Sequence, residues 1–178
     1  MDEIRMTPRT ERRRILLRRI RVLLAVFIVG LVLSGATAIP LEWEVGVLAR
    51  LLGLPPDANP QDNCGLAHWI AAVQGGLHET FARYPFIAYG TDWLAFGHFI
   101  LAILFLGVLR DPVRNLWVLT FGMIACVLVI PVALVFGPVR GIPFYWQLID
   151  CSFGVFGIIP VWLSRRWAAE VAALGAEA

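Results

Sequence analysis

Long apolar runs separated by short polar connectors dominate the pattern of this chain. They cover residues 22–39, 93–109, 115–136 and 142–163, and each is close to the about 17–25 residues that a helix needs to cross a bilayer. The connectors at Arg110-Asp111-Pro112 and around Gly141 are short and typical of turns. The pattern therefore predicts an all-α membrane protein with four transmembrane helices in an antiparallel bundle.

The first apolar run allows two interpretations. Basic residues, a short apolar core and Ala36-Thr37-Ala38 are also typical of a cleavable signal peptide. The apolar run, however, continues to Ile39. We therefore expect this helix to be retained in the protein.

Residues 40–91 lie outside the apolar runs, and we expect them to form an extracytoplasmic cap with two interfacial helices. The first helix follows Pro40 and ends at Gly53, and the second covers residues 64–83 with Asn63 as its N-cap. Apolar residues recur at helical spacing in both helices. They are Leu41, Val45, Leu48 and Leu52 in the first, and Leu66, Trp69, Ile70, Val73, Leu77 and Phe81 in the second.

Composition supports a lipid environment. The 178 residues are 59% hydrophobic and 16% charged, against about 45–50% apolar and about 25% charged in an average soluble domain. The length suits one membrane domain covering residues 1–178. All the basic residues other than histidine are arginine, and nothing in their arrangement indicates a nucleic-acid partner.

The arginines are distributed unevenly, which predicts an orientation. Eight lie within residues 1–21, and with the arginines that follow the second and fourth apolar runs they place twelve of fifteen on one side. Because cytoplasmic flanks of membrane helices carry the excess of Arg and Lys, we expect both termini to lie in the cytoplasm.

Two ionisable residues interrupt the apolar runs and are the candidate catalytic residues, His98 and Asp150. Ionisable side chains are costly in the membrane interior and often mark functional sites. Imidazole and carboxylate could form an acid–base pair or hold a ligand. The alternative is a structural contact between helices, or an ion pair of Asp150 with Arg140. Candidate ligand-binding residues near the same membrane face are Gln147, Tyr145, Trp146 and Asp92.

The cap also contains residue types that bind metals, namely Cys64, His68, His78 and Glu79. Their spacing matches no recognised zinc motif, so we predict no metal site and expect polar helix faces there, with Glu42 solvated. A bis-histidine haem site would need a second intramembrane histidine beside His98, and the sequence has none, because the other two histidines, His68 and His78, lie in the cap. The sequence leaves the cofactor undefined.

The stretch from Arg110-Asp111-Pro112-Val113-Arg114-Asn115 through Phe121-Gly122-Met123 and Gly141-Ile142-Pro143 to Leu148-Ile149-Asp150-Cys151 resembles an uncharacterised family of bacterial four-helix inner-membrane proteins. This resemblance covers about half of the chain and implies no activity. It implies a location in the inner membrane of a bacterium. A fainter likeness, in helix count and in a proline at Pro131, is to the sterol-isomerase and sigma-2-receptor group. It has no position-by-position match and assigns no residues.

These features favour a small structural or accessory subunit of a larger membrane complex. Such a protein would contact the bilayer and other membrane subunits, or further copies of itself. The alternative is a membrane-embedded enzyme or binder of a lipophilic small molecule that uses His98 and Asp150. Ion or proton movement is a third hypothesis, and it is weakened because the cytoplasmic half of the helices lacks a matching row of polar residues.

Overall fold

The computed structural model describes residues 8–176, and these form six α-helices and two short 3-10 helices without a strand. The helices are α1 (Pro8–Ala38), α2 (Leu41–Leu51), α3 (Gly65–Arg83), α4 (Tyr89–Arg110), α5 (Leu116–Val139) and α6 (Phe144–Ala176). The 3-10 helices cover Pro60–Asp62 and Pro85–Ala88. Four segments are long and apolar enough to cross a membrane, namely Pro8–Ala38, Pro85–Arg110, Leu116–Val139 and Phe144–Gly175. The predicted all-α membrane fold with four spans is confirmed.

Two of these helices extend well beyond the predicted apolar runs. α1 begins at Pro8 rather than at residue 22, and α6 continues to Ala176 rather than ending at residue 163. The extensions have one buried face, which contains Leu16 and Ile20 on α1 and Ala168 and Val171 on α6, whereas the arginines of both segments are exposed. The apolar runs predict only the part of a helix that is suited to cross the lipid. An amphipathic continuation of the same helix lies outside such a run, so the predicted ends fell short.

The chain divides into two compact units, residues 31–101 and residues 1–30 with 102–178. We call them the cap unit and the hairpin unit. Helices α1 and α4 each pass from one unit into the other.

In the hairpin unit, α5 and α6 pack as an antiparallel pair. The turn between them contains Gly141, whose φ of +69° favours glycine. Glycines of α5 lie against side chains of α6 along the whole pair, from Gly137 against Gln147 beside the turn to Gly122 against Val161. Small residues let the two backbones approach closely, as helix pairs in lipid require.

Helix α1 joins this unit by packing antiparallel to α6. Arg12 pairs with Glu170, the Arg19 guanidinium lies 5.9 Å from the Trp167 ring centroid, and Phe27 packs near Gly157. In these three contacts the residue number rises along α1 while it falls along α6, so the two helices run antiparallel. The phenyl rings of Phe27 and Phe105 of α4 also meet edge to face, with centroids 4.8 Å apart.

In the cap unit, α2 and α3 pack as a second antiparallel pair around buried Ala49, Ile70 and Ala71. Both helices were predicted, although their interfacial position stays a prediction. The predicted N-cap is wrong, because Cys64 occupies that position without a side-chain capping bond. Asn63 instead donates its side-chain N–H to the carbonyl oxygen of Asn59, at 3.0 Å.

Candidate functional site

Asp150 lies within the apolar part of α6, about 9 Å from its first residue at 1.5 Å per residue. It is half-buried at the edge of the face that packs against α5, where Cys151 and Gly154 are buried. Within the described residues of the hairpin unit, Asp150 forms no hydrogen bond and no ion pair. The suggested ion pair with Arg140 is therefore not formed.

Gln147 lies one turn before Asp150 and serves the α5–α6 hairpin. Its side chain is only 4% exposed, and Nε2 donates a hydrogen bond to the carbonyl oxygen of Ile142, at 2.7 Å. Gly137 leaves the space that this side chain fills, because a Cβ there would lie 2.5 Å from Gln147 Cδ. Gln147 thus fixes the turn between the two helices, and its ligand-binding role stays a prediction.

The other candidate ligand-binding residues lie at the first turns of their helices. Tyr145 and Trp146 begin α6, and the backbone N–H of Trp146 donates to the carbonyl oxygen of Pro143, at 2.9 Å. Asp92 is exposed in the first turn of α4. These residues flank apolar helix segments, which is where aromatic residues of membrane proteins concentrate.

His98 is positioned by two contacts within the cap unit. Its Nδ1 donates a hydrogen bond to the carbonyl oxygen of Leu94 one turn earlier, at 2.8 Å. Gly35 of α1 brings the helix backbone against the same residue, since a Cβ on Gly35 would lie 2.9 Å from His98 Cβ. With the proton on Nδ1, Nε2 of the neutral ring is a hydrogen-bond acceptor. His98 and Asp150 belong to different units, and their contact stays a prediction.

Polar residues of the cap make local contacts. His78 Nδ1 donates to Glu42 Oε1 at 2.8 Å and connects α3 to α2, and the Glu42 side chain remains 44% exposed. His68 Nδ1 donates to the carbonyl oxygen of Pro60, at 2.7 Å. In residues 8–176, no three His, Cys, Asp or Glu side chains lie close enough together to hold a metal ion.

The polar end of the hairpin unit contains contacts that sequence reasoning missed. Arg12 Nε donates to Glu170 Oε1 at 2.6 Å, and Arg165 Nε donates to Thr120 Oγ1 at 2.9 Å. The Ser164 hydroxyl is fully buried and makes no hydrogen bond with the described residues. An amphipathic pattern in residues 8–21 could have revealed this end, because the apolar Leu16 and Ile20 lie four residues apart among the arginines.

Comparison of the chain with protein-family models, with curated proteins and with solved structures gives no significant match. The argument for function therefore depends on the chain's own residues. What they establish directly is an all-helical protein whose four apolar segments are suited to span a membrane and contact lipid.

Proposed function

We propose that this protein is a non-catalytic subunit of a larger membrane assembly, and that Asp150 of α6 contacts the partner. The observation that carries this proposal is a half-buried carboxylate within an apolar helix that lacks a hydrogen-bond donor in its own unit. Carboxylates within membranes are costly and are usually paired with another polar or charged group. A donor on a partner helix would supply that group.

The exposed face of α1 supports the same proposal. Gly30, Ser34 and Ala38 follow each other at four-residue spacing, and nothing lies within 4 Å of a Cβ built on Gly30. Ser34 is also exposed. Small residues at this spacing typically allow another helix to approach closely, so this part of α1 offers a second contact to a partner.

The experiment compares wild type with Asp150→Asn and with the matched control Asp92→Asn. Asp92 is a suitable control because it is exposed at the first turn of α4. Each protein is purified from native membranes in a mild detergent, and its bound polypeptides are counted by native mass spectrometry. We expect wild type and Asp92→Asn to retain a partner in fixed stoichiometry, and Asp150→Asn to retain less of it.

The size of the loss is modest. Interhelical hydrogen bonds in membranes contribute about 0.6 kcal/mol on average and up to about 1.7 kcal/mol, so retention should fall about 3-fold to about 20-fold. Wild-type protein that is monodisperse and carries no polypeptide would contradict the proposal. Equal retention by Asp150→Asn would show that a subunit interface exists elsewhere.

The orientation of His98 favours a second candidate, a membrane-embedded enzyme or binder of a lipophilic molecule. The ring is held by Leu94, and Nε2 is left as a defined acceptor. The same mass spectra test this function: a small lipophilic molecule would remain bound to wild type and disappear in folded His98→Ala and Asp150→Asn proteins. Spectra without such a molecule in the wild type count against it.

We also propose that the protein resides in a bacterial inner membrane with both termini in the cytoplasm. The clustering of eight arginines within residues 1–21 supports this orientation, since positive residues are retained on the cytoplasmic side. The resemblance to bacterial inner-membrane proteins supports the location.

A further inference from the structure

A groove beside α1 and Trp167 of α6 combines positive charge with an apolar floor. Its volume is about 510 Å³, and it is lined by Ile15, Arg18, Arg19, Val22, Leu23 and Trp167. This is within the range of about 300–1,000 Å³ that is typical of small-molecule sites. The lining contains two arginines and no acidic residue, so the groove is suited to an anion that also carries hydrocarbon.

The groove lies where the apolar runs of α1 and α6 meet arginine-rich sequence. Arg18 precedes Val22, where the apolar run of α1 begins, by four residues or about 6 Å of helix. On α6, Arg165 and Arg166 end the apolar part of the helix immediately before Trp167. Arginine and tryptophan are typical of the headgroup level, and Val22 and Leu23 extend the groove toward the hydrocarbon.

The two arginines differ in what holds them. Arg19 lies over the Trp167 ring at 5.9 Å, a cation–π contact that leaves its guanidinium N–H groups available. Arg18 is exposed and forms no ion pair within residues 8–176. Guanidinium groups match phosphate oxygens in geometry as well as charge.

An adjoining groove, of about 530 Å³, is a useful contrast. It is lined by Pro8, Glu11, Arg12, Ile15, Leu16 and Arg19. It contains the carboxylate of Glu11, and its Arg12 is already paired with Glu170. Among the arginines that line these two grooves, Arg18 and Arg19 form no ion pair with the described residues, whereas Arg12 does.

We propose that the groove lined by Arg18, Arg19 and Trp167 binds an anionic phospholipid, with its phosphate at the two guanidinium groups and an acyl chain along Val22 and Leu23. Basic pockets between membrane helices are known binding places for such headgroups. The apolar floor favours a lipid over a soluble phosphate, which would leave Val22 and Leu23 uncovered. This lipid site does not depend on the proposed subunit function.

The test compares wild type, Arg18→Gln/Arg19→Gln and the control Arg13→Gln/Arg110→Gln in a mild non-ionic detergent. The control removes the same charge from exposed residues that do not line the groove. Phosphatidylglycerol and phosphatidylcholine are titrated separately, and bound lipid is counted by native mass spectrometry. Circular dichroism verifies that each variant is folded, and Arg18→Gln alone serves as the milder variant.

We expect phosphatidylglycerol to bind wild type and control more tightly than phosphatidylcholine does. Each arginine near a membrane surface contributes about fivefold in affinity for anionic lipid, so the double variant should bind about 30-fold more weakly and Arg18→Gln about fivefold more weakly. Phosphatidylglycerol should also raise the unfolding temperature of wild type and control, and not that of the double variant.

Three results would overturn the proposal. Equal loss in the control would mean that general charge attraction, rather than the groove, holds the lipid. Undiminished binding by the double variant would exclude these arginines. Displacement of phosphatidylglycerol by an equal concentration of inorganic phosphate would identify a soluble anion as the preferred occupant.

Discussion

The substitution Gly154→Ala, which adds one methyl group, tests directly how closely α6 packs against α5. A Cβ added there would overlap the backbone carbonyl oxygen of Cys126 and would lie 3.5 Å from Val129 Cβ. Because ordinary contacts between carbon atoms are about 3.5–4.0 Å, the two helices would have to separate by about 1 Å. The obstacle is main chain, so no side-chain rotation can relieve it.

We therefore expect Gly154→Ala to lower the free energy of unfolding by about 2–3 kcal/mol, the upper part of the range for overpacked cores. Separation of the helices would also loosen the neighbouring contacts of Gly157 with Cys126 and of Gly122 with Val161. The intrinsic preference of helices for alanine over glycine, about 0.5–1 kcal/mol, offsets only part of this loss. The control is Gly97→Ala, where no atom lies within 4 Å of the added Cβ.

The assay is equilibrium unfolding in mixed micelles of increasing dodecyl sulfate fraction, followed by far-ultraviolet circular dichroism. A second readout is thiol labelling in a Cys64→Ser background, because Cys126 and Cys151 are buried and react when the hairpin opens. A fall of about 2 kcal/mol in the free energy of unfolding would raise the labelling rate about 30-fold. A Gly154→Ala protein within about 0.5 kcal/mol of Gly97→Ala would refute the close approach at this residue.

Two further predictions concern the cysteines. Gly157→Ala places its methyl 3.2 Å from Cys126 Sγ, which is a side-chain atom. The stability that Gly157→Ala costs should therefore fall toward zero in a Cys126→Ala background, while the cost of Gly154→Ala persists. A double-mutant cycle by dodecyl sulfate unfolding measures both costs, and persistence of both would contradict this assignment. Cys64 is the exposed one of the three cysteines, so a membrane-impermeant maleimide should label it in intact spheroplasts but not in inverted vesicles, and the reverse result would invert the proposed orientation.

The four membrane segments could be predicted because hydrophobicity over about 20 residues is a local property of the chain. The positions of α4 and α5 differ from the predicted runs by a few residues at most. The α5–α6 turn was also predicted, since Gly141 has the positive φ that its glycine suggested. Amphipathic spacing was sufficient for α2 and α3, where apolar and polar faces differ clearly.

The packing faces of the membrane helices could not be predicted in the same way. The Gly30-Ser34-Ala38 spacing is compatible with a contact inside the protein or with another subunit, and in the structure Gly30 is exposed whereas Gly35 of α1 is buried. In a bilayer, lipid-facing and protein-facing surfaces are both apolar, so hydrophobic periodicity does not distinguish them. Only the tertiary structure decides which small residue meets another helix.

The candidate site also contains residues that the sequence identified and contacts that only the tertiary structure shows. Sequence alone identified His98 and Asp150, because an ionisable residue in an apolar run is visible without a structure. It did not identify the partner of Gln147, the pairing of Glu42 with His78, or the groove beside Arg18 and Arg19. Those features depend on the rotation of each helix about its axis and on residues distant in sequence, which long-range packing determines.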